Sequence, residues 1–109
     1  MKVAIVGSRS LSVNDFERYL PQGVTEIVTG GAKGIDTCAK EYANLKGFKL
    51  KEFLPKYNIY GKSAPLVRNL RIIEYADEVI AFWDGVSKGT NFVINNCKKR
   101  GKKITVYRL

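Results

Sequence analysis

The chain contains no histidine. That absence removes Ser-His-Asp and Cys-His nucleophilic systems and every histidine-containing zinc site, so any acid–base work would fall to Asp, Glu, Lys or Tyr. Cysteine is almost as scarce. Cys38 and Cys97 are the only two, and both fall on apolar helical stripes, where a free thiol behaves as a small hydrophobe rather than half of a disulfide or metal pair. No apolar run approaches the ~18 residues needed to cross a bilayer, and Met1 to Gly7 is too short for the apolar core of a secretion signal. The expectation is a cytoplasmic protein with no membrane attachment. Acidic residues are few, ten against 19 lysines and arginines, leaving a net charge of +9. That balance points to an anionic partner, a nucleotide or a nucleic acid. Linkers, internal repeats and low-complexity segments are also missing, so residues 1–109 make one domain around a single core.

What is present is an alternation of short apolar runs with amphipathic stretches. Lys2 to Val6, Val24 to Val28, Lys49 to Leu54, Glu78 to Trp83 and Lys103 to Tyr107 read as strands. Between them, helices are predicted over about Val13 to Leu20, Ile35 to Lys46, from Ala64-Pro65 onward, and after Lys88. Ser12 or Asn14 is the candidate cap of the first helix and Ser63 that of the third, while Gly47 and Gly101 are the predicted stops. In the third helix Leu66, Val67, Leu70, Ile73 and Ala76 form the expected buried stripe, which leaves Arg68 and Arg71 on another face. Lys56 to Ser63 reads as a loop of aromatic, amide and basic residues, either a ligand cover or ordinary surface. Strands alternating with helices imply an α/β domain of about five parallel strands with helices on both faces.

Ligands of such sheets bind beyond the carboxyl ends of the strands, and three of those ends are rich in glycine. The first is Gly7-Ser8-Arg9, where glycine admits a close approach, serine offers a hydroxyl and arginine a planar fork of donors. The second is Thr29-Gly30-Gly31-Ala32-Lys33-Gly34-Ile35-Asp36, a strand-to-helix turn whose helix presents unpaired N–H groups to an anion. Asp36, in the first turn, either caps those N–H groups or meets a ligand hydroxyl. The third is Asp84-Gly85-Val86-Ser87-Lys88-Gly89-Thr90, which opens the last helix. Arg68 and Asn69, near the start of the third helix, lie within reach of the same rim. Trp83 either stacks on a base or packs at the sheet edge. The cluster Lys98, Lys99, Arg100, Lys102 and Lys103 either answers the helix dipole or forms a nucleic-acid patch. These residues suggest no metal site and no obligatory cofactor beyond the nucleotide-like ligand itself.

Taken in order, these motifs resemble the SLOG superfamily, and most nearly its YspA/YpsA-related branch of small single-domain proteins. The resemblance covers nearly the whole chain. It implies a Rossmann-like fold that binds a nucleotide or nucleotide-derived ligand, as a sensor or binding module, and that forms homo-oligomers. The implied contacts are Gly7, Ser8 and Arg9 in the first loop; Gly30, Gly31, Gly34 and Asp36 in the second; Arg68 and Asn69; and Ser87, Lys88, Gly89 and Thr90 in a phosphate loop. Related branches imply two alternatives. One is the Lonely Guy phosphoribohydrolases, which release a base from a nucleoside monophosphate; Asp36, Asp84 or Glu74 would then supply the carboxylate. The other is the DNA-processing protein A family, whose similar G-A-[KR]-G-I-D stretch accompanies single-stranded DNA binding. One departure bears on the first alternative. The Lonely Guy pattern P-G-G-x-G-T-x-x-E ends in a catalytic glutamate, and that position here is Val93.

Overall fold

A computed structural model describes all 109 residues. Five strands, β1 (Lys2–Gly7), β2 (Glu26–Thr29), β3 (Lys49–Glu52), β4 (Glu78–Trp83) and β5 (Ile104–Arg108), form one sheet in the order β3-β2-β1-β4-β5, and every pairing is parallel. Parallel strands need crossovers. Those after β2, β3 and β4 are supplied by α1 (Ile35–Lys46), by the single turn α2 (Tyr57–Tyr60) with α3 (Ala64–Tyr75), and by α4 (Lys88–Arg100), while β1 reaches β2 through a connection with only the 3-10 turn Phe16–Arg18.

Alternation along the strands builds two core layers. Val3 and Ile5 of β1 join Ile27, Ile80 and Phe82 beneath α1, while Ala4 and Val6 join Val28, Val79 and Ala81 beneath α3 and α4. The central strands are covered on both faces, which is why they read as unbroken apolar runs. From β1 the chain first winds toward β3 and then returns past β1 to β4 and β5. With right-handed crossovers, that reversal places α1 on one face and α3 with α4 on the other. It also leaves a switch point between the carboxyl ends of β1 and β4, where an open α/β sheet forms its crevice.

Most boundaries follow the sequence. Gly47 and Gly101 end α1 and α4 in the left-handed conformation, at φ 77° and 68°. Three expectations need correction. The stretch Val13 to Leu20 is not a helix but a single 3-10 turn, Phe16–Arg18. Its apolar residues are spent as anchors: Val13 and Phe16 are buried, and Phe16 meets the rings of Tyr42 and Phe82 edge-on. Neither Ser12 nor Asn14 caps it, the cap position being Asp15, and Ser63 makes no capping hydrogen bond to α3. The predicted loop Lys56 to Ser63 is helical, α2 running through a 3-10 turn at Gly61–Ser63 straight into α3. That continuity removes the need for a side-chain cap.

Candidate functional site

The third correction lies at the site. The buried residues of α3 are Ala64, Arg68, Asn69, Ile72 and Ile73, whereas Leu66 is 43% exposed. The helix is therefore rolled away from its most apolar face, and Arg68, expected outside the buried stripe, is 9% exposed. The polar partners explain the roll. The Arg68 guanidinium donates through Nη1 to the Gly30 carbonyl and through Nε to Asn69 Oδ1 at 2.8 Å. Burial pulls the Arg68 guanidinium below the usual arginine range and Arg9 acts in the same direction, against the opposing charge of Asp36 and the phenol of Tyr57. Arginine's high intrinsic basicity keeps it cationic.

Around that guanidinium the three glycine turns lock into one another. Gly30 and Ala32 each donate a backbone N–H to Asp36 Oδ2 at 3.2 Å. The Asp36 carboxyl thus holds the glycine turn in place. Burial pushes its pKa up, and the two amides and Arg68 pull it back. A Cβ on Gly34 would lie 2.6 Å from the Arg9 carbonyl oxygen, and one on Gly7 would lie 2.5 Å from Ile35 Cγ1. These glycines serve loop-on-loop contact. Likewise a Cβ on Gly30 would meet Arg68 Nη1 at 2.6 Å, and one on Gly31 would run into Leu54.

Asp84 organises the third turn. Its Oδ1 accepts the N–H groups of Val86 and Ser87 at 2.9 and 2.8 Å, its Oδ2 accepts the Ser10 hydroxyl at 2.9 Å, and its own N–H donates to Ser8 Oγ at 3.1 Å. The amides of Val86 and Ser87, helped by Ser10 and Ser8, hold its pKa down to about 2. Ser87 caps α4, accepting from the Thr90 N–H, while Trp83 Nε1 donates to the Ser87 carbonyl at 3.0 Å. Trp83 therefore braces the turn from the carboxyl end of β4, a strand paired on both sides. The amides of Val86, Ser87 and Thr90 are consumed within the turn, and those of Lys88 and Gly89 are left with no intrahelical partner.

Between these turns, at the β1–β4 switch point, lies a cavity of about 420 Å³, within the size range of small-ligand sites. Of the residues expected to bind ligand, Gly7, Arg9, Asp36, Arg68, Asn69, Ser87, Gly89 and Thr90 line it. Ser8, Gly30, Gly31, Gly34 and Lys88 do not: Ser8 is 1% exposed beneath the β4 turn, and the three glycines are packing positions. Gly89 differs from them, since a Cβ there would meet nothing within 4 Å.

Of the carboxylate candidates, Asp36 and Asp84 line the cavity, while Glu74 is exposed in the last turn of α3 and pairs with Arg100 at 3.1 Å. Glu74 is thus at the opposite end of its helix from Arg68 and outside the site. Val93 is 2% exposed, part of the core beneath α4, and also forms cavity wall. Sequence reasoning missed Val6, Ser10, Ala32, Pro65 and Leu66 as lining residues. Pro65 and Leu66 carried a signal, because they open the same helix that brings Arg68 to the rim.

The fold and site together define a doubly wound parallel α/β domain with a crevice at its switch point lined by Arg9, Arg68, Asp36 and Asp84. Comparison of the chain with protein-family models, with curated proteins and with solved structures gives no match. No helix is long and apolar enough to cross a membrane.

Proposed function

We propose that the crevice binds a phosphorylated nucleotide or nucleotide-derived ligand, in the manner the SLOG resemblance implies, and that the protein is a binding module rather than a hydrolase. The observation that carries this reading is the state of the charges around the cavity. Arg9 and Arg68 face it together, and Arg9 has no ion-pair partner. Asp36 and Asp84, the acidic residues beside them, are already engaged by backbone amides. Two guanidiniums converging in a crevice repel one another until an anion joins them. The two free amides at the start of α4, at the positive end of its dipole, supply a phosphate cradle at Gly89. Asn69, Ser10 and Thr90 provide polar groups for sugar hydroxyls, and Pro65 with Leu66 an apolar wall for a base.

The same observation weighs against phosphoribohydrolase chemistry. Cleavage of an N-glycosidic bond needs a carboxylate aimed at the sugar to stabilise positive charge or to activate water. Asp84, held near pKa 2, is too weak a base for that work near neutrality. Asp36 is fixed by two amides, and Val93 has no polar atom.

The test is a thermal-shift panel of AMP, GMP, CMP and UMP, with the matching nucleosides and inorganic phosphate. A nucleotide at 100 times its Kd adds about 2.7 kcal/mol to stability, while the nucleosides leave the midpoint unchanged. Arg9→Ala removes a charge-assisted contact worth about 1.5–3 kcal/mol of affinity. Nucleosides matching nucleotides, or no response to any phosphate compound, would overturn the reading. So would multiple-turnover release of free base, followed by chromatography.

A further inference from the structure

Acidic residues stop at Asp84. The 25 residues after it hold seven lysines and arginines and no aspartate or glutamate. They form α4 and β5, so the excess positive charge is gathered on one side of the sheet. On α4, Lys88, Asn91, Asn95, Lys98 and Lys99 are all exposed, and their spacings of three and four residues align them in one stripe. At ~1.5 Å per residue the stripe runs about 16 Å, from the cavity rim to the far end of the molecule. Not every cation near it is free. The Lys102 ammonium donates to the Ala76 carbonyl, Arg100 pairs with Glu74, and Lys103 lies 3.8 Å from the Glu78 carboxylate. Lys88, Lys98 and Lys99 have no acidic partner.

The helix dipole accounts for cations in the last turn but not for this stripe. Lys88 occupies the first helical position, the positive end of the dipole, and the first turn holds no acidic residue to offset it. Asn91 and Asn95 are poor helix formers on an exposed face, where alanine or glutamate would stabilise the helix more. Every side chain in the stripe ends in N–H donors.

We propose that the outer face of α4 is a docking ridge for the phosphate backbone of a nucleic acid, separate from the nucleotide crevice and independent of it. Its ~16 Å length matches about five phosphates of one strand at ~3.4 Å each. From Lys88 to Lys103 no large apolar side chain is exposed, so the ridge has nothing to insert into a bilayer. It also lacks the apolar or aromatic anchors on which protein interfaces centre. Ammonium and amide groups spaced along a helix read charge, not sequence, so duplex and single strand both bind, the duplex more tightly through its charge density.

The test is fluorescence anisotropy of the full chain with a labelled 20-base-pair DNA duplex and the matching single strand, from 50 to 200 mM salt. Three free cations predict a slope of log K on log salt of about −2.7 for the duplex. Lys98→Gln with Lys99→Gln, on a solvated face, leaves the fold intact by circular dichroism. It weakens binding about tenfold or more and brings the slope about two closer to zero. Saturating AMP displaces neither strand, and Arg9→Ala binds like the parent. The proposal is overturned by no binding at 50 mM salt, by a double variant with the parent's affinity and slope, or by displacement with AMP. Poly-L-glutamate competing as well as duplex at equal charge would also overturn it, as that marks an unspecific charge sink. Because the crevice is read separately by thermal shift, its failure and failure of the ridge are distinguishable.

Discussion

Arg68→Ala tests whether the rim is built around a buried guanidinium. The substitution leaves the Gly30 carbonyl and Asn69 Oδ1 without their donor, at positions where Arg68 is only 9% exposed. It also removes the one cation that draws the Asp36 carboxyl back toward ionisation. Each buried polar group left unsatisfied costs about 1–3 kcal/mol, and two are orphaned here. These losses overlap, and water entering from the adjoining crevice recovers part of them. The expected net destabilisation is about 2–4 kcal/mol, a large share of the ~5–15 kcal/mol of a domain this size. At ~4 °C per kcal/mol the melting midpoint falls by about 8–16 °C. Arg68→Lys, which restores charge but not the fork that bridges Gly30 and Asn69, falls between variant and parent. Differential scanning calorimetry without ligand is the assay, so that binding does not enter. A midpoint for Arg68→Ala within ~2 °C of the parent would refute the reasoning and return Arg68 to the solvated face suggested by helical periodicity.

Three further expectations rest on the other turns. The Asp84 pKa, lowered from 3.8 to about 2 on folding, contributes stability that is present above pH ~4 and lost as pH falls toward 2; Asp84→Asn is less stable at pH 7 and shows a shallower acid limb in urea titrations between those values, and an unchanged limb would contradict the assignment. Gly34 adopts φ 77°, ψ −123°, and a Cβ there would lie 2.6 Å from the Arg9 carbonyl oxygen, so Gly34→Ala loses at least about 2–3 kcal/mol of stability; a loss below 1 kcal/mol in denaturant unfolding refutes the interlock. Gly89→Asp places a carboxylate at the positive end of α4, where it stabilises the helix slightly, yet it repels phosphate from the free amides; nucleotide thermal shifts vanish while the ligand-free midpoint stays within about 2 °C of the parent, and retention of those shifts moves the phosphate elsewhere.

The fold was legible because its signals are local. Apolar runs bounded by glycine and proline mark the strands, and β4 and α1 begin and end where the pattern places them. Where a tertiary demand overrode local preference, the sequence misled. Val13 and Phe16 carry helical spacing, but the connection from β1 to β2 uses both as anchors beneath Tyr42 and Phe82. Periodicity placed Arg68 off the apolar stripe, though within reach of the rim; the carbonyl of Gly30, 38 residues away, draws its guanidinium inward, and Asn69 accepts from the same side chain. Eight of the thirteen expected binding residues line the crevice. Most of those that do not share one physical reason. From sequence, a glycine kept clear for a ligand cannot be told from one kept clear for another loop. Gly34 and Gly89 look alike until a Cβ is placed on each.

That distinction narrows where an anion can sit. A glycine turn ending in a helix offers phosphate its amides, and two such turns occur here, before α1 and before α4. In the turn before α1, Asp36 takes the N–H groups of Gly30 and Ala32. Its charge also occupies the end of that helix where a phosphate would approach. In the turn before α4, Asp84 takes Val86 and Ser87, but it lies upstream of the helix and leaves Lys88 and Gly89 unengaged. Two turns of similar composition thus become unequal: Asp36 sits in the first turn of α1, where its charge opposes an approaching phosphate, whereas Asp84 lies upstream of α4 and no acidic residue occupies that helix's first turn. On the proposed reading, the start of α4 is therefore the favoured phosphate position, in the cavity that Arg9, Arg68, Pro65 and Leu66 also line. Arg68 ties the first turn to α3, Gly34 packs it against the loop after β1, and Ser8 and Ser10 tie that loop to Asp84, so the crevice is held open by contacts among its own loops. If a phosphorylated ligand binds at this rim as proposed, little backbone reordering is required, and the free energy of its phosphate contacts is retained as affinity.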